Sequence, residues 1–224
     1  MSNKRILVLA AHPDDELLGC GGTIALHALA GDCVTIVIAC EGESVRYSSN
    51  HGMDDYTMAA ARRLGIKDVR LLKFSDQALD TLTLTKLITP LERIVREVRP
   101  QVVYCQYGGD LNRDHELLFK AILVATRPTE EYIEAIYAFD TASSTEWAYP
   151  RSFNPDTWID ISATLETKLE AMACYKSEVQ ESPHPRSIEA LRYRAKAWGN
   201  VSYLDAAEVF MTVRRVLRNG QAPV

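Results

Sequence analysis

The chain has few cysteines, and none is spaced for a zinc knuckle or a redox couple. Its five cysteines, Cys20, Cys33, Cys40, Cys105 and Cys174, are an odd number without Cys-x-x-Cys spacing. That argues against a disulfide framework. Basic runs are absent as well: a net charge of -5 is spread along the sequence, which leaves nucleic-acid binding without support. No apolar stretch approaches the roughly 20 residues of a membrane span. Lys4-Arg5 and the apolar residues after them imitate the start of a signal peptide, but the run is too short and ends in His12-Pro13-Asp14-Asp15. A soluble cytoplasmic protein is therefore expected. No Gly-x-Gly-x-x-Gly follows the first apolar run. Gly19, Gly21 and Gly22 come later, behind acids that would repel a pyrophosphate, so a nicotinamide cofactor is not expected. Histidine is scarce, with five in the chain.

What is present is a 224-residue chain of 47% hydrophobic content, enough for one α/β domain spanning residues 1–224 with a substantial core. Strand patterns fall at Arg5–Ala10, Cys33–Ala39, Asp68–Leu72, Val102–Cys105 and Ile133–Phe139. Helical patterns fall at Gly21–Ala30, Asp54–Leu64, Leu84–Arg99 and His115–Ala125. Leu84, Leu87, Leu91, Ile94 and Val95 recur at helical spacing, and Pro100 follows them. Strands that alternate with helices pair in parallel through right-handed crossovers. The expected fold is α/β: a Rossmann-like, three-layer, doubly wound sheet, mostly parallel. Beyond residue 140, Thr141–Pro155 reads as a structured loop and Trp158–Ile161 as a further strand. Thr164–Tyr175 and the stretch from Ser187 through Trp198 read as helices, and Ala207–Val216 as a last strand or a frayed end.

The most informative stretch is Ala11-His12-Pro13-Asp14-Asp15-Glu16, where the first strand hands over to its helix. Ligands in open α/β sheets bind at the carboxyl ends of strands. An imidazole and a carboxylate offer the N and O donors that zinc accepts, and a second carboxylate can act as base on a metal-bound water. The competing reading is an Asp that merely caps the helix, for which one would suffice. His115 also lies just past a strand, beyond the Gly-rich loop that follows Val102–Cys105. His27 sits among apolar neighbours in a helix and reads as structural or surface; His51 lies in a polar loop.

The stretch from Val8 to Gly22 resembles the AHPDDE signature of the LmbE-like, or PIG-L, family of zinc-dependent de-N-acetylases. Gly109-Asp110-Leu111-Asn112-Arg113-Asp114-His115 is similar to the family's later motif ending in Asp-His, and weaker similarity runs through Phe74-Ser75-Asp76-Gln77 to about residue 180. The resemblance implies one zinc ion per chain held by His12, Asp15 and His115, with Asp14 as general base. It implies a small-molecule N-acetylated amino sugar, or its conjugate, as substrate, with no nucleic-acid partner. Asp76 matches a position that binds sugar hydroxyls, and Asp114 is expected to orient a neighbouring donor. Many members carry an oxyanion-stabilising His where this chain has Asn112. Either Asn112 donates in its place or another group does. His184, stiffened between Pro183 and Pro185 and beside the cationic Arg186, is the candidate. Some oligomeric members place such a His in a neighbouring subunit's site, which implies a homo-oligomer; the alternative is an exposed His in a Pro-rich turn. Arg46, past the second strand, could hold an anionic or hydroxylated part of the substrate. Two other functions remain open at this point: hydratase or lyase chemistry on a small acid, and a non-catalytic metal-binding module.

Overall fold

The computed structural model describes residues 3–42 and 52–218. Strands β1 (Arg5–Ala10), β2 (Cys33–Cys40), β3 (Asp68–Phe74), β4 (Val102–Gln106), β5 (Ala135–Phe139), β6 (Thr157–Asp160) and β7 (Ala207–Arg215) form one sheet in the order β3-β2-β1-β4-β5-β7-β6. The first five pair in parallel, while β7 runs antiparallel to both β5 and β6. The sheet is thus mostly parallel, with one reversed strand near its edge. The helices are α1 (Asp15–Leu29), α2 (Met53–Arg63), α3 (Leu84–Val98), α4 (Arg113–Ala125), α5 (Leu165–Met172) and α6 (Ile188–Val201).

Alternation along β1 builds both faces of the core at once. Ile6, Val8 and Ala10 pack with residues of α1, α2, α5 and α6, whereas Leu7, Leu9 and Ala11 pack with α3 and α4. A strand buried on both faces reads as a continuous apolar run, which is why β1 and β2 are visible in the sequence. The stripe Leu87, Leu91, Ile94 and Val95 is the buried face of α3. Ala207–Val216, for which strand and frayed end were both open, is the long strand β7.

Helix α1 departs from expectation. It begins at Asp15 rather than Gly21 and breaks at Cys20 (φ -143°, ψ 23°). Glycines are poor helix formers, so the pattern suggested a late start. Packing decides otherwise: a Cβ on Gly19 would stand 2.0 Å from the Phe139 ring, and one on Gly22 would stand 2.8 Å from Ile161. The glycines let α1 lie close on its neighbours. The break is closed by a buried ion pair. Lys168 Nζ, 2.7 Å from Glu208 Oε1, donates to Leu18 O, and the Glu208 carboxylate accepts from the backbone amides of Gly22 and Thr23.

Strand order reverses between β1 and β4, so the loops leaving their carboxyl ends diverge and open a crevice. Gln106 Oε1 accepts from the Ala11 amide at 2.7 Å and ties the two exits together.

Candidate metal centre and active-site cavity

The β1 exit carries His12, Asp14 and Asp15; the β4 exit leads to Asp114 and His115 in the first turn of α4. The crossing brings three donor atoms together. His12 Nδ1 lies 3.2 Å from Asp15 Oδ2 and 3.2 Å from His115 Nε2, and His115 Nε2 lies 3.3 Å from Asp15 Oδ2. A tetrahedral ion with bonds of about 2.0–2.1 Å sets its ligands roughly 3.3 Å apart. The triangle therefore has the edge length of one face of a tetrahedral site, and these residues fit a divalent ion.

The outer nitrogens of both rings meet carboxylates. His12 Nε2 is 3.2 Å from Asp114 Oδ2 and 3.2 Å from Asp76 Oδ1, while Asp114 Oδ1 accepts from the Leu79 amide. His115 Nδ1 is 3.1 Å from Asp110 Oδ1, a charge contact too poorly aligned for a hydrogen bond. Such partners fix ring orientation and raise ligand basicity. Electrostatics agree. Burial pulls the His12 pKa down, but the hydrogen bonds to Asp114 and Asp15 outweigh it and leave it well above the ordinary value. Burial likewise lowers His115, and Asp15 and Asp110 carry it upward. Asp15 is held low by His115 and His12 against the opposing effect of its burial. The cluster is an anionic pocket seeking positive charge.

Asp14 does not cap α1 with its side chain. Its backbone is left-handed, at φ 100°, and its carbonyl accepts from Leu17 and Leu18. Its amide donates to Glu16 Oε2 at 3.1 Å, and Glu16 Oε1 accepts from Tyr175 Oη at 2.7 Å. Its carboxylate faces the cavity, 3.3 Å from Arg186 Nη1, which also lies 2.7 Å from Glu178 Oε2. Burial first, then the neighbouring Asp15, pushes the Asp14 pKa well up, and Arg186 opposes them. Burial also pushes Glu16 up to about 7, against the pull of the Tyr175 hydrogen bond.

The cavity around these groups holds about 260 Å³, just below the roughly 300–1,000 Å³ of ligand pockets. Asp76, Asn112, His184 and Arg186 line it together with Asp14 and the three donors. Asn112 is also the N-cap of α4, its Oδ1 accepting from the Asp114 amide at 2.9 Å, so only its NH₂ is left to donate. His184 lies in the cavity of its own chain, its ring edge-on to Trp147 at 6.1 Å. Its Nδ1 accepts from the Arg186 amide at 3.1 Å, which puts the proton of the neutral ring on Nε2. Burial and Arg186 lower its pKa, so the neutral form prevails. Arg46 and His51 lie outside the described residues. His27 is remote from the cavity, its ring nitrogens 2.7 Å from Asp32 and 3.1 Å from Tyr104.

Sequence reasoning missed Glu16, Glu178 and Tyr175. Glu178 and Tyr175 carry no local signal, because their contacts are tertiary: Tyr175 Oη donates to Glu16, and Glu178 pairs with Arg186. Glu16 is inside the motif but reads as an ordinary first-turn acid. Asp110 was inside a recognised motif without an assigned role; it anchors the Ser143–Trp147 loop through the hydroxyls of Ser144 and Thr145.

Comparison with known proteins identifies the family and the fold. The profile of the family described as PIG-L, GlcNAc-PI de-N-acetylase, matches residues 7–126. The chain is 28% identical over 191 residues to a probable N-acetyl-alpha-D-glucosaminyl L-malate deacetylase 2 of Bacillus cereus, covering 79% of this chain and 84% of that one. It is 31% identical over 187 residues to YaiS of Escherichia coli, described as an uncharacterized deacetylase, covering 79% and 94%. The crystal structure of a conserved protein from Thermus thermophilus superposes with a TM-score of 0.79 at 25% identity, covering 99% of this chain and 100% of that one.

Proposed function

The chain belongs to the PIG-L family, the GlcNAc-PI de-N-acetylases, and from that membership we propose a division of labour among the residues of its cavity. The enzyme is a metal-dependent hydrolase that removes an N-acetyl group from an amino sugar or its conjugate. The observation that carries the assignment of roles is the donor triangle of His12, Asp15 and His115, with edges of 3.2–3.3 Å, beside a carboxylate, Asp14, that no metal role requires. Borderline N and O donors at this spacing favour zinc, one ion per chain. When bound, such an ion acidifies a water toward a pKa of about 7 and polarises a carbonyl.

The chain's own residues supply the rest. Asp14 takes the proton of the attacking water on its carboxylate and returns it to the departing amine nitrogen, so that amide and water become acetate and amine. His184 Nε2–H and the Asn112 NH₂ are neutral donors for the oxygen that becomes negative as the carbonyl is attacked. Asp76 accepts from sugar hydroxyls, and Arg186 holds Asp14 and borders the substrate. Five free thiols without a disulfide support a reducing, cytoplasmic setting.

The test is acetate release from a panel of N-acetylglucosamine conjugates, read by mass spectrometry, in the zinc-loaded enzyme and in Asp14→Asn. The variant is expected to keep its metal and to lose roughly 10²–10⁴-fold in turnover, the range of a positioned base. Full turnover in the variant would remove Asp14 from the mechanism. A zinc-loaded parent that releases no acetate across the panel would overturn the substrate class.

A further inference from the structure

The segment between α5 and α6 reaches back to the β1 exit at two points, and both points end on Asp14. Tyr175 is fully buried, and its hydroxyl donates at 2.7 Å to Glu16 Oε1. The other oxygen of that carboxylate accepts from the Asp14 amide at 3.1 Å. From the opposite side Arg186 Nη1 stands 3.3 Å from the Asp14 carboxylate and 2.7 Å from Glu178 Oε2. One contact fixes the Asp14 peptide and the other its side chain.

Asp14 needs both. Its φ of 100° lies where a residue with a Cβ is disfavoured, and such conformations persist only when the surroundings over-determine them. The Asp14 side chain makes no hydrogen bond to the start of α1, so nothing in its own helix settles its rotamer. A base must be held within a few tenths of an ångström of the proton that it takes.

We propose that Tyr175, acting through Glu16, and Glu178, acting through Arg186, are positioning residues that hold Asp14 in its reactive geometry. The inference rests on the reading of Asp14 as base. It assigns Tyr175 and Glu178 a part in turnover although neither takes part in the chemistry, and it adds them to His184 and Arg186 as residues of the segment between α5 and α6 on which the site depends. A residue that acts this way changes the rate of the chemical step and leaves ground-state binding alone.

Tyr175→Phe keeps the buried ring and deletes the one hydroxyl. Its kcat is expected to fall roughly 10- to 100-fold, the scale of a misplacement of about 1 Å, with KM and bound zinc unchanged. Against an Asp14→Asn background the same change should leave the residual rate where it was, because there is no base left to position. Parent kcat in Tyr175→Phe with an inactive Asp14→Asn overturns the proposal while sparing the base. Losses that simply add in the double variant overturn it too, since they mark a general structural effect. If Tyr175→Phe does not fold, Glu178→Ala on the other arm decides: lowered kcat with zinc retained supports the brace, and parent kcat refutes it. An Asp14→Asn enzyme with full turnover removes the base reading and the brace with it, an outcome distinct from the others.

Discussion

His12 and His115 present their inner nitrogens to each other across 3.2 Å. Two lone pairs at that range repel unless a proton or a metal ion lies between them. Without metal, Asp114 and Asp15 hold His12, and Asp15 and Asp110 hold His115, above the ordinary imidazole pKa against burial. Metal requires neutral imidazoles, so binding must expel these protons. Apparent affinity is full above the raised imidazole pKa values and falls as pH drops through them. Metal is therefore expected to start leaving at a higher pH than a solvent-exposed His pair, of pKa about 6.5, would give. Calorimetric titration in buffers of differing ionisation enthalpy reads the protons released. A proton count of zero near neutral pH would contradict the raised values. At this scale the motif was legible because metal ligation restricts residue types as well as spacing. The neutral His184 was legible only as a stiff His between prolines; its tautomer depends on one backbone amide that no sequence pattern announces.

Helix α1 shows how an element can be read in kind and misread in extent. Its apolar residues marked a helix, and its glycines hid the first turns, because their purpose is close approach to Phe139 and Ile161 rather than helix propensity. The break at Cys20 leaves a carbonyl and two amides without helical partners, and buried groups of that kind cost about 1–3 kcal/mol each. Lys168 takes the carbonyl, and Glu208 takes the amides of Gly22 and Thr23. Both side chains are nearly inaccessible, at 6% and 3%. Lys168→Met is expected to destabilise the fold by about 3–5 kcal/mol, the cost of leaving one buried charge unpaired. Replacing both partners by apolar residues should not restore the parent value, because the amides lose their acceptor. Urea unfolding of the metal-loaded protein measures both. Parent stability in the double variant would show that the break needs no cap.

Across the whole molecule the parallel alternation and the doubly wound sheet were legible, since consecutive βαβ units admit few topologies, while the order that sets β1 beside β4 came with the structure. The reversed strand β7 was not: Ala207–Arg215 is long and apolar enough for a strand, but its direction depends on where α6 delivers it. The chain between α5 and α6 puts His184 into the cavity of its own chain. The site needs no neighbour for that residue. Mixing His184→Ala with Asp14→Asn protein is therefore expected to give no recovery of acetate release, because no mixed assembly restores a cavity with both groups. Recovery well above the summed rates of the two variants would place the working His184 in another subunit.

Among the described residues, strand β6 pairs with β7 and with no other strand, and this has a consequence in time. As the chain leaves the ribosome, His12 and Asp15 emerge first, then His115, and all three before β6. When β6 emerges it has no partner; it waits for β7, made after α5 and α6, to slot between it and β5. Glu208 arrives on that same strand. A nascent chain thus owns all three proposed metal ligands well before it can close this end of its sheet or mend the fracture in α1, and a strand made late locks in place a helix made early.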